Sequence, residues 1–485
     1  MIRFDSSYTT LPETFFSHQA PTPVARPQML ALNLPLAQAL GLDTEWLARS
    51  EGLAMLAGNQ VVEGSTPIAQ AYAGHQFGGW VPRLGDGRAV LLGELAGAFD
   101  PSLSSRVDVV LKGSGPTPYS RRGDGRAWLG PVLREYLVSE AMAALGVPTT
   151  RALAAVATGE RVQRERGLPG AVLTRIAASH LRVGTFQYAT AQAMTDAGPS
   201  AQGLRDLQAL TDYAIARHYP QAEGALGLLE AVVEAQAHLI ADWMALGFIH
   251  GVMNTDNMAI SGETIDYGPC AFMDGYNPQK VFSSIDRMGR YAFANQPSMA
   301  AWNLAQLATS LLPLMQGSEE EKIEAATAAV NGFVETFQTR WRLNFGRKIG
   351  IGQASEADLP LIEGLLARMG SGRVDFTRVF AGLSEGEAKA EFTEAHAWSS
   401  WAPDWEARLA HEEDPVKVMR AANPRRIPRN HRIEAMIQAA VEGDMAPFER
   451  LLAACRAPYE TRAEWADLAE APQEGQEVRQ TFCGT

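Results

Sequence analysis

The chain reads as an α+β protein: a strand-rich first part followed by a mainly helical half. Three observations predict this. Residues 61–128 are rich in glycine and short apolar runs, as in strands joined by tight turns. Residues 133–145 and 224–246 carry apolar residues three and four positions apart, the spacing of one helix face. From about Tyr291 onward most of the sequence keeps that helical period.

Taken in order, residues 1–60 look irregular and partly helical, with a proline-rich stretch from Pro21 to Pro27. Residues 90–92 and 107–111 are the clearest strands, being short, apolar and rich in β-branched side chains. The helix over 133–145 is stopped by Gly146, and strand-like pieces recur at 151–157 and 171–176. The long helix 224–246 leads into Gly247-Phe248-Ile249-His250, and further helices cover 302–312 and 319–345 before a proline-containing break at 423–428. These changes of pattern divide the chain into an N-terminal extension (1–60), a strand-rich lobe (61–185), a helical lobe (186–315) and a helical C-terminal region (316–485).

Composition narrows the class. The hydrophobic share of 46% and charged share of 20% are those of a globular protein. A formal charge of −13 disfavours a nucleic-acid-coating role, which needs clustered Lys and Arg, but leaves room for a local basic pocket. No apolar run of about 18 residues suggests a membrane span. The N-terminus lacks a basic segment followed by an apolar one, and three cysteines cannot build a disulfide framework, so a cytoplasmic, reducing setting is expected.

Three segments carry chemistry. In Arg83-Leu84-Gly85-Asp86-Gly87-Arg88 the glycines permit a backbone turn close to phosphates and Arg88 supplies charge; a plain hairpin is the competing reading. The motif echoes at Gly123-Asp124-Gly125-Arg126. Lys112 closes a β-branched strand and is followed by Gly113-Ser114-Gly115, which suits a phosphate-binding lysine paired with a carboxylate on the next helix. Periodicity favours Glu140 for that partner, because it falls among Leu133, Leu137 and Ala144, whereas Glu135 projects from the opposite side. The third segment is His250-Gly251-Val252-Met253-Asn254-Thr255-Asp256-Asn257, with Asp266-Tyr267-Gly268 beginning nine residues after Asn257.

Protein kinases carry His-Arg-Asp-Leu-x-x-x-Asn followed by Asp-Phe-Gly. Laid over that pattern, Asn257 and Asp266 take the metal-binding positions and Val252 replaces the catalytic aspartate. Valine accepts no proton, so Asp256 is the nearest carboxylate for general-base work. Arg175 and Arg182, with Lys112 and Arg88, are expected to make a strongly cationic pocket in an acidic protein.

These segments resemble the selenoprotein O family, as do Tyr72-Ala73-Gly74-His75-Gln76-Phe77-Gly78, Arg290-Tyr291-Ala292-Phe293-Ala294-Asn295-Gln296-Pro297 and the terminal Cys483-Gly484-Thr485. The resemblance runs over nearly the whole chain. It implies a protein-kinase-like bilobal pseudokinase fold that holds ATP reversed, and transfer of AMP, with Mg²⁺, to Ser, Thr or Tyr of proteins; some members transfer UMP with Mn²⁺. Redox-related and metabolic proteins are the implied targets. Carried over by position, Gly85, Gly87, Arg88, Lys112, Asp124, Gly125, Arg175, Arg182 and Asp266 bind nucleotide, Asn257 and Asp266 hold metal, and Asp256 accepts the proton. Lys112 then pairs with Glu135, against the periodicity reading. Relatives that link a cysteine after Asp-Tyr-Gly to the C-terminal cysteine differ here, since Ser283 stands in that segment; Cys270 is the alternative partner for Cys483, against its reading as an inert buried thiol. Cys455 is expected in the core. The competing functions are a phosphotransferase, which lacks its aspartate at Val252, and a catalytically silent nucleotide-binding scaffold.

Overall fold

A computed structural model describes residues 2–482. Its sheet is built from β1 (Phe16–His18), β2 (Gln28–Leu32), β3 (Ile68–Gln70), β4 (Ala89–Ala96), β5 (Arg106–Lys112), β6 (Arg151–Gln163) and β7 (Gly167–Ala177). They pair antiparallel in the order β1-β3-β4-β5-β7-β6-β2, and the two-residue strand Ala127–Trp128 adds to β7. Each strand foreseen in the sequence is present and longer than its apolar run, because β6 and β7 extend as a hairpin beyond the core. The first 60 residues are not merely irregular and helical. They supply β1 and β2 to the sheet, and three short helices within residues 34–57 cover one of its faces.

Alternation along β5 explains how the sheet serves two purposes. Val107, Val109 and Leu111 point to the face covered by the N-terminal helices. Asp108, Val110 and Lys112 point to the other face, where Arg175 of β7 lies directly opposite Val110. The first face is sealed with hydrocarbon, and the second carries the charged groups.

Helix α1 (Leu129–Ala144) crosses that second face. It starts one turn before the predicted residue, since Gly130 and Pro131 obscure the apolar period while a proline is tolerated where helix N–H groups have no partner. Gly146, at φ +82°, ends it as foreseen. The rest of the chain is mainly helical: α2 (Val183–Ala193), α3 (Ala201–His218), α4 (Gly224–Leu246), α5 (Gln296–Leu311) and α6 (Glu319–Lys348). Gly247, at φ +67°, stops α4, and a Ser318/Glu321 capping box starts α6. Among the described residues α4 is the one helix long and apolar enough to cross a membrane. It packs against α3, α5 and α6, and most of its apolar residues are buried there.

The C-terminal helices Asn430–Val441 and Ala446–Cys455 pack on α1 from the side away from the sheet. Cys455 is buried there, with burial pushing its thiol up to about 12. Arg429, 1% exposed, ties this region to the body through Asp274 (2.5 Å) and Asp375 (2.8 Å). Removing the cation leaves two carboxylates facing each other, one of them buried, so Arg429→Ala is expected to cost about 3–5 kcal/mol, read from the urea unfolding midpoint.

Candidate active site

A cleft of about 780 Å³ opens between the sheet and the helical half, lined by Tyr72, Gly85, Arg88, Lys112, Asp256 and Asp266, among others. Gly87, Asp124, Gly125, Arg175, Arg182 and Asn257 line it too, so the predicted site residues converge on one cavity, with Glu135 just behind them. The Gly85-Asp86-Gly87 segment is not a hairpin. It is a bend running into β4, with Gly85 at φ +134° and the Tyr119 ring so close that a Cβ there would lie 2.4 Å from it. Asp86 is buried; its Oδ2 accepts from the Gln70 amide (3.0 Å), and its Oδ1 lies 3.6 Å from Arg182.

At the centre, Lys112 Nζ donates to Glu135 Oε2 (2.6 Å) and to Asp266 Oδ1 (2.7 Å). Arg175 Nη1 donates to the same Asp266 oxygen (2.7 Å) and to Glu135 Oε1 (3.2 Å). Arg182 reaches Asp266 Oδ2 at 3.5 Å and lies over the Tyr72 ring at 4.4 Å. Burial alone would raise the Asp266 carboxyl; Lys112, Arg175 and Arg182 instead hold it well below the usual carboxylate range. Arg182 is 2% exposed, yet its Nε and Nη1 have no hydrogen-bond partner among the described residues, which leaves buried donors available for an anion.

Glu135, not Glu140, partners Lys112. Glu140 is held by Arg151 (2.8 and 2.9 Å) and Arg456 (3.3 Å). Periodicity misjudged this because α1 is buried on both sides: the sheet covers one face and the C-terminal helices the other, so the side carrying Glu135 is interior as well. The pocket is also not uniformly cationic. Lys112, Arg175 and Arg182 are matched by Glu135, Asp266 and Asp86, as buried cations must be. Asp124 is spent on Arg164 (2.9 Å) at the rim. Arg88 and Arg121 line the cleft with no carboxylate partner among the described residues, and Arg121 is a cation that the sequence reading did not single out.

Asp256 sits in a 3-10 turn, Thr255–Asn257. The hairpin strand Gly74–Gln76 lies across this turn: the His75 amide donates to Thr255 Oγ1 (2.7 Å), and Gln76 Nε2 donates to Asp256 Oδ2 (3.2 Å). Gly74 is needed there, since a Cβ would come within 2.9 Å of Asp256 Oδ1. That Oδ1 is buried and has no hydrogen-bond partner among the described residues. Burial pushes the Asp256 carboxyl up to about 6, against the opposing pull of Gln76 and Arg182. Among the described residues no cluster of three or more His, Cys, Asp or Glu side chains forms a ready metal cage. Besides Asp256, two oxygen donors remain in the cleft: Asp266 Oδ2, which has only its long contact to Arg182, and the Asn257 side-chain oxygen, whose amide is oriented by a bond from Nδ2 to the Val252 carbonyl (2.9 Å).

Backbone strain gathers at the same place. Of the five non-glycine residues at positive φ among the described residues, Phe77, Arg121 and Asp266 line the cleft and Arg122 adjoins it. Asp266-Tyr267-Gly268 turns tightly, the Gly268 amide donating to the Asp266 carbonyl (2.8 Å). Thr481 lies beside this turn: its Oγ1 donates to the Pro269 carbonyl (2.5 Å), and it bridges to Ser283. Cys270 is buried nearby, and Cys483, its candidate disulfide partner, lies outside the described residues.

A family model described as "Protein adenylyltransferase SelO" matches residues 1–456. The chain is 56% identical over 484 residues to the protein nucleotidyltransferase YdiU of Ruegeria sp. (strain TM1040), covering 100% of this chain and 99% of that protein. It is 57% identical over 482 residues to the protein of the same name from Roseobacter denitrificans (strain ATCC 33942 / OCh 114), covering 99% of each. Proteins of this class are nucleotidyltransferases, for which a nucleoside triphosphate is the co-substrate. The chain belongs to the selenoprotein O family, as its motifs imply.

The raised Asp256 pKa has a consequence for stability. Between 3.8 and about 6 the folded protein keeps a proton that the unfolded chain releases, so stability falls as pH rises through that window and stays lowered above it. Asp256→Asn is therefore expected to stabilise the protein at pH 8 by about 1–3 kcal/mol, with the gain vanishing below about pH 4, as measured by denaturant unfolding at both pH values.

Proposed function

We propose that the protein transfers AMP from ATP to serine, threonine or tyrosine hydroxyls of target proteins, releasing pyrophosphate. We read the cleft as that of a kinase-like bilobal fold, with lobes at 61–185 and 186–315, in which the triphosphate lies reversed; residues 1–60 and 316–485 are its N-terminal extension and helical C-terminal region. One observation carries this reading. The position of a kinase's base holds Val252, while Asp256, four residues on, offers an unpartnered carboxylate oxygen in the same cavity as the Lys112–Arg175–Arg182 cluster.

In this reading Gly85, Gly87, Asp124 and Gly125 shape the wall around the nucleotide. Arg88, Lys112, Arg175 and Arg182 face the β- and γ-phosphates. Asp256 takes the proton of the acceptor hydroxyl as its oxygen attacks the α-phosphorus. The bond from that phosphorus to the bridging oxygen breaks, and pyrophosphate departs with the electron pair. Negative charge then grows on the leaving side, where fixed cations stabilise it most. Glu135 keeps Lys112 in place and Asp266 orients the cations. Asn257 and Asp266 would also hold a divalent ion, Mg²⁺ or Mn²⁺. Such an ion supplies charge neutralisation at the phosphates, and two protein oxygens suffice because phosphate and water oxygens complete its shell.

Incubation of the protein and lysate with ATP labelled at the α or the γ phosphorus tests the reading, with labelled UTP in parallel to set donor preference. Label from the α position alone should appear on protein, and Asp256→Ala should lower it by roughly 10²–10⁴-fold. Transfer of γ label would refute it. Lys112→Ala should slow transfer by about 10²–10³-fold, about 2.7–4 kcal/mol of lost transition-state stabilisation. The base must be ionised, so the rate should fall as pH drops through about 6, in a pH–rate profile under saturating nucleotide.

A further inference from the structure

Behind the phosphate-facing cations lies a buried polar chain that the reaction scheme does not use. Arg175 is 2% exposed, and its guanidinium is held on two sides. Nη1 is taken by Asp266 and Glu135, and Nε donates to His180 Nε2 at 3.1 Å. Among the described residues its Nη2 has no hydrogen-bond partner, and Arg175 lines the cleft. His180, also 2% exposed, faces Asp108 through its other ring nitrogen: Nδ1 lies 2.9 Å from Asp108 Oδ2, and the His180 backbone amide donates to the same oxygen at 2.9 Å. Asp108 Oδ1 accepts from Arg217 Nη2 of α3 at 2.6 Å, and Arg217 Nη1 donates to Glu94 Oε2 of β4 at 2.8 Å.

The chemistry of the chain gives it a direction. A guanidinium N–H only donates, so His180 Nε2 must present its lone pair to Arg175. The ring proton then sits on Nδ1 and is donated to Asp108. A doubly protonated ring would set N–H against N–H, so the arrangement requires neutral imidazole, in keeping with burial and the Arg175 charge, which hold the His180 pKa down. Arg217 and the His180 amide keep Asp108 ionised and fixed. Sheet register places the parts: Asp108 and Lys112 share one face of β5, and Arg175 lies opposite Val110 between them. One strand thus carries a cation of the site and the anchor for its neighbour.

We infer that His180 and Asp108 are positioning residues for the reaction: together they lock the rotation of the Arg175 guanidinium, so that Nη2 is aimed at the β,γ-phosphates. Without the Nε bond the guanidinium could pivot about its two Nη1 contacts and satisfy itself on Glu135. This rests on the placement of the triphosphate proposed above.

The test compares ATP and AMP binding, by calorimetry, for His180→Phe, His180→Gln, Arg175→Ala and the double variant Arg175→Ala/His180→Phe. His180→Phe keeps volume but removes the acceptor, and should weaken ATP about tenfold, the scale of one charge-assisted hydrogen bond, while AMP stays within about twofold. His180→Gln, which restores an acceptor at the Nε2 position, should recover most of the ATP affinity. The double variant should bind ATP no more weakly than Arg175→Ala, because His180 acts only through Arg175. Equal losses for ATP and AMP, no recovery with Gln, or additive losses in the double variant would overturn the inference in favour of a merely structural histidine. Transfer of α label by the wild type, assayed alongside, reports separately on the AMP-transfer reading. Should that fail, the ATP/AMP comparison still decides the role of His180.

Discussion

The site depends on one half-buried carboxylate, Asp266, being surrounded by Lys112, Arg175 and Arg182. Taking three cations out of water is affordable only if anions accompany them, and Glu135, Asp86 and Asp266 do so. The consequence is preorganisation. In the proposed reaction each cation is fixed before any phosphate arrives, so little reorientation would remain when charge develops. The partnership is also uneven in a useful way. Asp266 Oδ1 takes the two short bonds, while Oδ2 has only a 3.5 Å contact, and Arg182 keeps two donors unmatched. The cluster is neutral enough to fold and unsatisfied enough to bind.

The scaffold around Asp266 follows from that requirement. The Lys112 side chain needs a strand end, and β5 provides it with hydrocarbon on the opposite face. Glu135 needs an interior helix, which is why α1 is enclosed by the sheet on one side and C-terminal helices on the other. Asp256 obeys different rules. It carries no short ion pair, sits against Gly74 and one Gln76 hydrogen bond, and has a carboxyl shifted upward by burial. Two carboxylates of one cleft are thus pushed in opposite directions, one held ionised by cations and the other made basic by desolvation. That separation is how acid–base and electrostatic duties are divided in enzymes.

Much of this was legible in the sequence. Strands β4 to β7 and helices α4 and α6 announced themselves by period, and α1 by period and a glycine stop, since those signals are local. Asn257 and Asp266 were visible through a spacing that repeats a known pattern, and the other residues converging on the cleft through the family resemblance of their motifs. What local patterns could not convey is enclosure. Glu135 looked solvent-facing because nothing in residues 133–145 reveals that its side meets Lys112 and Arg175 of the sheet, while helices more than 280 residues later pack on α1 as well. Strands β1 and β2 escaped because three- and five-residue strands lack enough alternation to register. The charge-balancing role of Asp86 was hidden inside a Gly-Asp-Gly turn, and the chain through His180 and Asp108 joins residues 72 apart, brought together only by sheet register.

The account turns on which end of the nucleotide meets Asp256. A crystal structure with a non-hydrolysable ATP analogue and Mg²⁺ measures this directly. It should show the β- and γ-phosphates against Lys112, Arg175 and Arg182, with the α-phosphorus open to an acceptor beside Asp256. A γ-phosphate directed at Asp256, with the α-phosphate buried among the cations, would contradict it.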